Sequence, residues 1–179
     1  MAKGERDLIA DANALIDLIK LDLLFITCEL PGYRFHLVEE VYNEIIWPEQ
    51  KRALKIAIQN NLILLESLVE LEELELFARL SSSLGSGEAA SLAYAHCHNY
   101  YLLSDENNKT FRREVGRTIN LKKIKRTTDI IVEAIRLGKV TFSVINDRIK
   151  SLENSAYSKR DFNDVEHFKR VLERIRTKV

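Results

Sequence analysis

Four short apolar runs, each tied to a helical pattern, constrain this chain more than any other feature. Asp7-Leu8-Ile9-Ala10 stops at Asp11, Arg34 to Val38 leads into Glu39, Leu62 to Leu65 follows Asn60-Asn61, and Tyr100 to Leu103 stops just short of Asp105. Runs of this length, rich in aliphatic and aromatic side chains, read as strands buried on both faces. The segments between them carry apolar residues at helical spacing, such as Leu15, Ile16, Leu18 and Ile19 within 12–20. Further helices are predicted over 39–46, ended or interrupted by Pro48, then over 49–60, 68–80, 86–98, 106–116 and 127–137. A lysine-bearing strand over 120–126 belongs at a sheet edge. Strands alternating with helices imply an α/β fold whose central, mostly parallel sheet is flanked by helices. Two charged amphipathic helices, 141–152 and 160–176, joined by 153–159, form a C-terminal helical extension. The expected division is an α/β domain over 1–140 and an extension over 141–179 packing on it.

Acids stand where such a sheet binds ligands, outside the carboxyl ends of its strands. Asp11 falls at the first strand-to-helix turn, with Asn13 close behind, and Asp105 falls at the tip of the Tyr100–Leu103 run. Glu88 lies in the first turn of a helix for which Ser86 and Gly87 supply cap and turn. Glu40 and Glu44 share one face of an earlier helix. Position alone allows plainer roles. Asp11 and Asp105 could cap the helices that follow, Glu88 could complement a helix dipole, and Glu44 could be solvated surface.

Charge balance excludes a global field: 27 Lys plus Arg face 27 Asp plus Glu, so binding to nucleic acid has to come from a local patch. Such a patch exists after Asp105. Lys109, Arg112 and Arg113 sit on the helix beginning there, with Lys122, Lys123, Lys125 and Arg126 beyond, although a solvated sheet edge explains the latter four better than RNA contact does. Cys28 and Cys97 suit reduced core thiols rather than a disulfide framework or metal cluster. His96, Cys97 and His98 point in successive directions around a helix and cannot converge on zinc. No segment approaches the roughly 18 to 20 apolar residues of a membrane helix, and no signal-peptide pattern opens the chain, which predicts a cytoplasmic protein with no membrane partner.

Three stretches carry a family resemblance: LIADANALIDL, VEEVYNEI and LGSGEAASLAYAHCHNYYLLSDENNKTFRREV. In order and separation they resemble the motifs of PIN-domain ribonucleases, including the VapC-like toxins of toxin-antitoxin pairs, across about residues 7–140. The resemblance implies a three-layer PIN-like fold and a catalytic set of Asp11, Glu44, Glu88 and Asp105. Asp11, Glu88 and Asp105 would be metal ligands, with Asn13, Ser104 and Glu106 in support. Glu88 stands where many members carry aspartate. The resemblance further implies an Mg²⁺ or Mn²⁺ cofactor, an RNA substrate, a homodimer and an antitoxin that blocks the acidic site.

The chemistry behind that implication is general. Crowded carboxylates repel, a divalent cation relieves the repulsion, and a hard ion prefers oxygen donors. Such an ion can acidify a water for attack on phosphorus and neutralise charge developing on the phosphate oxygens. A catalytically silent PIN-like module that binds RNA or protein is the alternative, and the full set of four acids argues against it. A phospho-aspartate phosphatase would need a second acid where Asn13 stands, and Gly85-Ser86-Gly87 lacks the spacing and lysine of a phosphate-binding loop.

Overall fold

The computed structural model describes residues 6–155 and 159–179, except the side chains of 159–162. Its framework is a five-stranded sheet with every pairing parallel, in the order β3-β2-β1-β4-β5. The strands are β1 (Arg6–Ala10), β2 (Tyr33–Val38), β3 (Ile63–Glu66), β4 (Tyr101–Leu103) and β5 (Ile124–Lys125). The first four follow from their apolar runs: Leu8, Ile9, Ala10, Phe35, Leu37, Ile63, Leu102 and Leu103 are all essentially inaccessible.

Chain direction distributes the helices. The path from β1 to β3 steps one way across the sheet, and the path from β3 through β4 to β5 steps back the other way. Right-handed crossovers therefore put the two sets of connecting helices on opposite faces, a three-layer α/β fold. The first set comprises α1 (Ala12–Lys20), α2 (Leu24–Cys28), α3 (Glu39–Glu44) and α4 (Pro48–Gln59). The second comprises α5 (Leu71–Leu80), α6 (Ser86–Cys97) and α7 (Lys109–Thr118). Helix α6 lies deepest, packed against β1, β2, β4, α3, α5 and α7. Its run of Ala89, Ala90, Ala93 and Ala95, all fully buried, is what lets it approach so many neighbours closely.

After β5 come α8 (Thr127–Arg136), α9 (Phe142–Asn154) and α10 (Lys159–Arg176). Helix α10 packs on α8 and α9 and contributes Phe168, Val171, Leu172 and Ile175 to the same apolar core as the sheet. Of the expected 153–159 join, residues 156–158 lie outside the described residues.

Several elements differ from the sequence reading for local reasons. Helix α2 was not anticipated, since five residues are too few to show a period. Helix α3 ends at Glu44, so Pro48 begins α4 as its first residue instead of ending the helix before it. Helix α5 starts at Leu71 because the Glu73 carboxylate accepts the backbone N–H groups of Val69 and Glu70. Helix α7 starts at Lys109, three residues late, because Asn108 caps it through Phe111 N–H at 2.8 Å. The expected 120–126 strand shrinks to two residues: Asn120 accepts from Lys122 N–H and draws Leu121–Lys123 into a 3-10 turn. What remains pairs with β4 alone, at the edge. Cys28 and Cys97 are both free. Among the described residues no helix is long and apolar enough to cross a membrane.

Candidate active site

The sheet order reverses between β1 and β4, which lie side by side with Ala10 opposite Leu103. Open α/β sheets bind ligands at this switch point. The residues that leave the two strands there are Asp11 on one side and Ser104-Asp105-Glu106 on the other. Backbone bonds continue past the ladder: Asp11 N–H donates to Leu103 O at 2.9 Å, and Ser104 N–H donates to Lys125 O at 3.1 Å. The fully buried Ser104 hydroxyl then donates to Asp11 Oδ2 at 3.2 Å, so the two strand tips are bridged directly.

Asp11 is 3% exposed. Its Oδ1 accepts Ala12 N–H at 2.8 Å at the start of α1, so the capping role and the site role coexist in one side chain. Burial pushes its carboxyl up to about 6; the Ala12 and Ser104 bonds oppose the rise, and the nearby Glu88 and Glu44 carboxylates add to it. Glu88 is half-buried and is also raised, by desolvation first and by Glu106 and Glu44 next, against the Gly85 N–H that it accepts at 3.2 Å. Glu44 arrives from the end of α3, and its Oε1 accepts Gly87 N–H at 2.6 Å. Asp105 Oδ1 accepts Thr127 N–H at 3.2 Å at the start of α8. Glu106 Oε1 accepts the N–H groups of Asn107 and Asn108 at 2.7 and 2.8 Å.

A common arrangement emerges. Glu44, Glu88, Asp105 and Glu106 each commit one oxygen to backbone N–H donors, and among the described residues the other oxygen accepts no hydrogen bond. Nor does any described lysine or arginine form an ion pair with these four or with Asp11. Asp11, Glu44, Glu88 and Glu106 are close enough to repel, the backbone orients them, and no described lysine or arginine is paired with them; oxygen donors of this kind are what hard divalent ions prefer. Among the described residues no three His, Cys, Asp or Glu side chains form a ready-made cage. That too is compatible with Mg²⁺, which keeps several waters and is held by one or two carboxylates together with substrate phosphate.

The surrounding cations divide into two kinds. Lys109 and Arg112 are exposed at the start of α7, whereas Arg113 is paired with Glu114 at 2.9 Å. Arg126 is a strut: its Nη1 donates to Ser104 O at 2.8 Å and Glu106 O at 2.7 Å, clamping the segment that carries Asp105. Lys123 is bonded to Asn99. Sequence reading had grouped Arg126 and Lys123 with a basic track and had no means of seeing these partners.

It also missed a groove that runs from Asn13, Asp105 and Glu106 along α1 to α10, lined further by Ile16, Asp17, Lys20, Asp164 and His167. His167 Nε2 meets Asp17 Oδ2 at 2.6 Å, and Lys20 donates to Asp164 at 2.6 Å. The Asp17 bond holds the His167 imidazole above its usual range; burial opposes this and the Asp17 and Asp105 charges add to it. Nothing local marks His167, which reaches the site only because α10 folds back. Gly87, first read as part of a turn, is a point of close approach, since a Cβ there would overlap the Glu44 carboxylate.

A family model described as PIN domain matches residues 7–165. The chain belongs to the PIN-domain family. No curated protein and no solved structure matches it. PIN domains are generally nucleases that act on RNA and use divalent metals, so a nuclease-type function follows for this PIN domain. The match takes in α9 and the start of α10 as well as the sheet.

Proposed function

We propose that this PIN domain is a metal-dependent endoribonuclease in which Asp11, Glu44, Glu88 and Asp105 form the catalytic set. The observation that carries the reading is the juxtaposition of Asp11 and the Ser104–Glu106 segment at the β1/β4 switch point, with Glu44 and Glu88 close enough to raise the Asp11 carboxyl. Asp11, Glu88 and Asp105 are the residues that would hold Mg²⁺ or Mn²⁺. When bound, such an ion offsets negative charge on the scissile phosphate and acidifies water at neutral pH.

The protein's own groups do the rest. Ser104 fixes the rotamer of Asp11, the Gly87 N–H aims Glu44, and Arg126 holds Asp105 and Glu106 in place from behind. Asn13, exposed on α1 at the mouth, is available to substrate, and Lys109 and Arg112 meet backbone phosphates as RNA leaves the acids. The likeness to VapC-like toxins extends the proposal to a homodimeric toxin restrained by an antitoxin, which sedimentation and growth arrest on expression would test.

The deciding experiment is cleavage of a mixed RNA pool with Mg²⁺ or Mn²⁺ by the parent, Asp11→Asn and Asp105→Asn. EDTA and either substitution should abolish cutting while the circular dichroism spectrum is kept. Undiminished cutting by both variants would remove the assignment.

A further inference from the structure

The groove beside the acids has a volume of about 350 Å³, within the range of pockets that enclose small-molecule-sized groups. Its charges are matched internally. Asp17 is taken by His167 and Asp164 by Lys20, which among the described lining residues leaves Asp105 and Glu106, at the mouth, for the metal-dependent site. Among the described residues a second phosphate would find no unpaired cation in the lining, and a guanidinium no unpaired carboxylate beyond the site acids. An uncharged, flat, hydrogen-bonding group fits instead. Ile16 supplies an apolar wall and Asn13 an amide that can both donate and accept. His167 presents an imidazole 40% exposed, fixed in angle by Asp17 and braced edge-on by Phe168 at 5.2 Å. Imidazole and other aromatic planes are the platforms on which unstacked RNA bases are received.

We propose that this groove is a nucleoside subsite, taking the base and ribose next to the scissile phosphate of single-stranded RNA, with His167 of α10 as stacking platform and Asn13 as polar contact. The proposal rests on the ribonuclease reading of the adjacent acids. It gives the C-terminal helix a part in substrate choice as well as in the core. Placement follows from the groove opening at Asp105: with the phosphate at the acids, a neighbouring nucleoside can enter this slot against α1.

The test uses the full chain. With imidazole nitrogens labelled in the Asp11→Asn protein, which binds without cutting, a pool of short single-stranded RNA should shift the His167 ring. The other three histidines, His36, His96 and His98, should stay in place. In the parent, His167→Ala should raise KM roughly 5- to 10-fold, the low end of base–aromatic stacking, with kcat and Mn²⁺ affinity unchanged. His167→Phe should restore KM, which a role confined to the Asp17 bond would not allow.

Outcomes separate the two claims. A parent that cuts RNA through Asp11 while His167 neither shifts nor affects KM overturns the subsite and leaves the nuclease. A parent that never cuts, yet whose His167 ring still moves with RNA, keeps the subsite and removes the nuclease. An inert parent with an unmoved ring sinks both.

Discussion

Gly87 donates its backbone N–H to Glu44 Oε1 at 2.6 Å, joining the first turn of α6 to the last residue of α3 across 43 positions of chain, and any side chain at Gly87 would overlap the same carboxylate. The close approach allows an exposed glutamate to be aimed without a lysine or arginine, so the negative charge stays available. Because the obstructed group is the far end of a flexible side chain, the helix itself need not move when a methyl is added.

Gly87→Ala should therefore separate stability from activity. Alanine is the better helix former by up to about 1 kcal/mol, so the melting temperature should hold or rise slightly. Glu44 would be expelled, and RNA cleavage should fall about as far as in Glu44→Gln. A loss of stability above about 1 kcal/mol would mean that the backbone, not the carboxylate, gives way.

Asp11 offers a pH signature. Its folded-state carboxyl is raised from 3.8 to about 6, so the folded form holds a proton that the unfolded form has released, and stability is lost as pH rises through that window. The penalty on the ionised form amounts to roughly 3 kcal/mol at neutral pH. Asn can keep the Ala12 contact without the charge. In metal-free buffer, Asp11→Asn should match the parent near pH 4 and be more stable by about 1–3 kcal/mol at pH 7–8. Millimolar Mg²⁺ should narrow the gap by stabilising the parent alone. A variant less stable than the parent at pH 8 would show that the Asp11 hydrogen bonds outweigh its repulsion.

Arg126 and Arg112 should behave differently although both are near the acids. Arg126 is occupied by Ser104 O and Glu106 O, whereas Arg112 is exposed on α7. Arg112→Ala should weaken RNA binding and lower the slope of log K against log salt by about 1, the mark of one lost phosphate contact. Arg126→Ala should leave that slope unchanged and lower kcat through a loosened 104–106 segment. Filter binding over a salt series, paired with single-turnover rates, distinguishes them; a reduced slope for Arg126→Ala would place it on the phosphates.

How much of this was legible in the sequence depends on range. Asp11, Glu88 and Asp105 were visible because strand ends and helix starts are local events, set by apolar runs and the residues that follow them. The parallel sheet was legible for the same reason, although its strand order was not, since nothing local says that β1 lies beside β4. Glu44 could be proposed from the family pattern, but its partner could not: the Gly87 contact spans two helices. Arg126 and His167 were beyond reach, one because its role is to hold a carbonyl pair 20 and 22 residues upstream, the other because α10 returns across about the whole chain to meet α1. Helix starts slipped wherever a side chain reached back to backbone N–H groups, as Glu73 and Asn108 do, because periodicity describes the middle of a helix and not its caps.

The last prediction concerns Glu73, which is away from the acids and tests the fold alone. This carboxylate is 1% exposed. It accepts Val69 N–H at 2.8 Å and Glu70 N–H at 2.9 Å, and meets His98 Nε2 at 2.6 Å. Burial alone would raise its carboxyl, but the Glu70 and Val69 donors and His98 together pull it below the ordinary value. A lowered carboxyl gives stability that is present above about pH 4.5 and is lost as pH falls through the folded-state value. Glu73→Ala leaves two backbone donors without their acceptor at the start of α5 and a cavity under His98, at a cost of about 2–4 kcal/mol. Urea unfolding should show that deficit at pH 7 and a smaller one near pH 3, where the parent has lost the same interactions. Cleavage per folded molecule should be unchanged, because the Glu73 contacts are to the start of α5 and the end of α6, while the candidate acids on α6 and α3 meet at its opposite end.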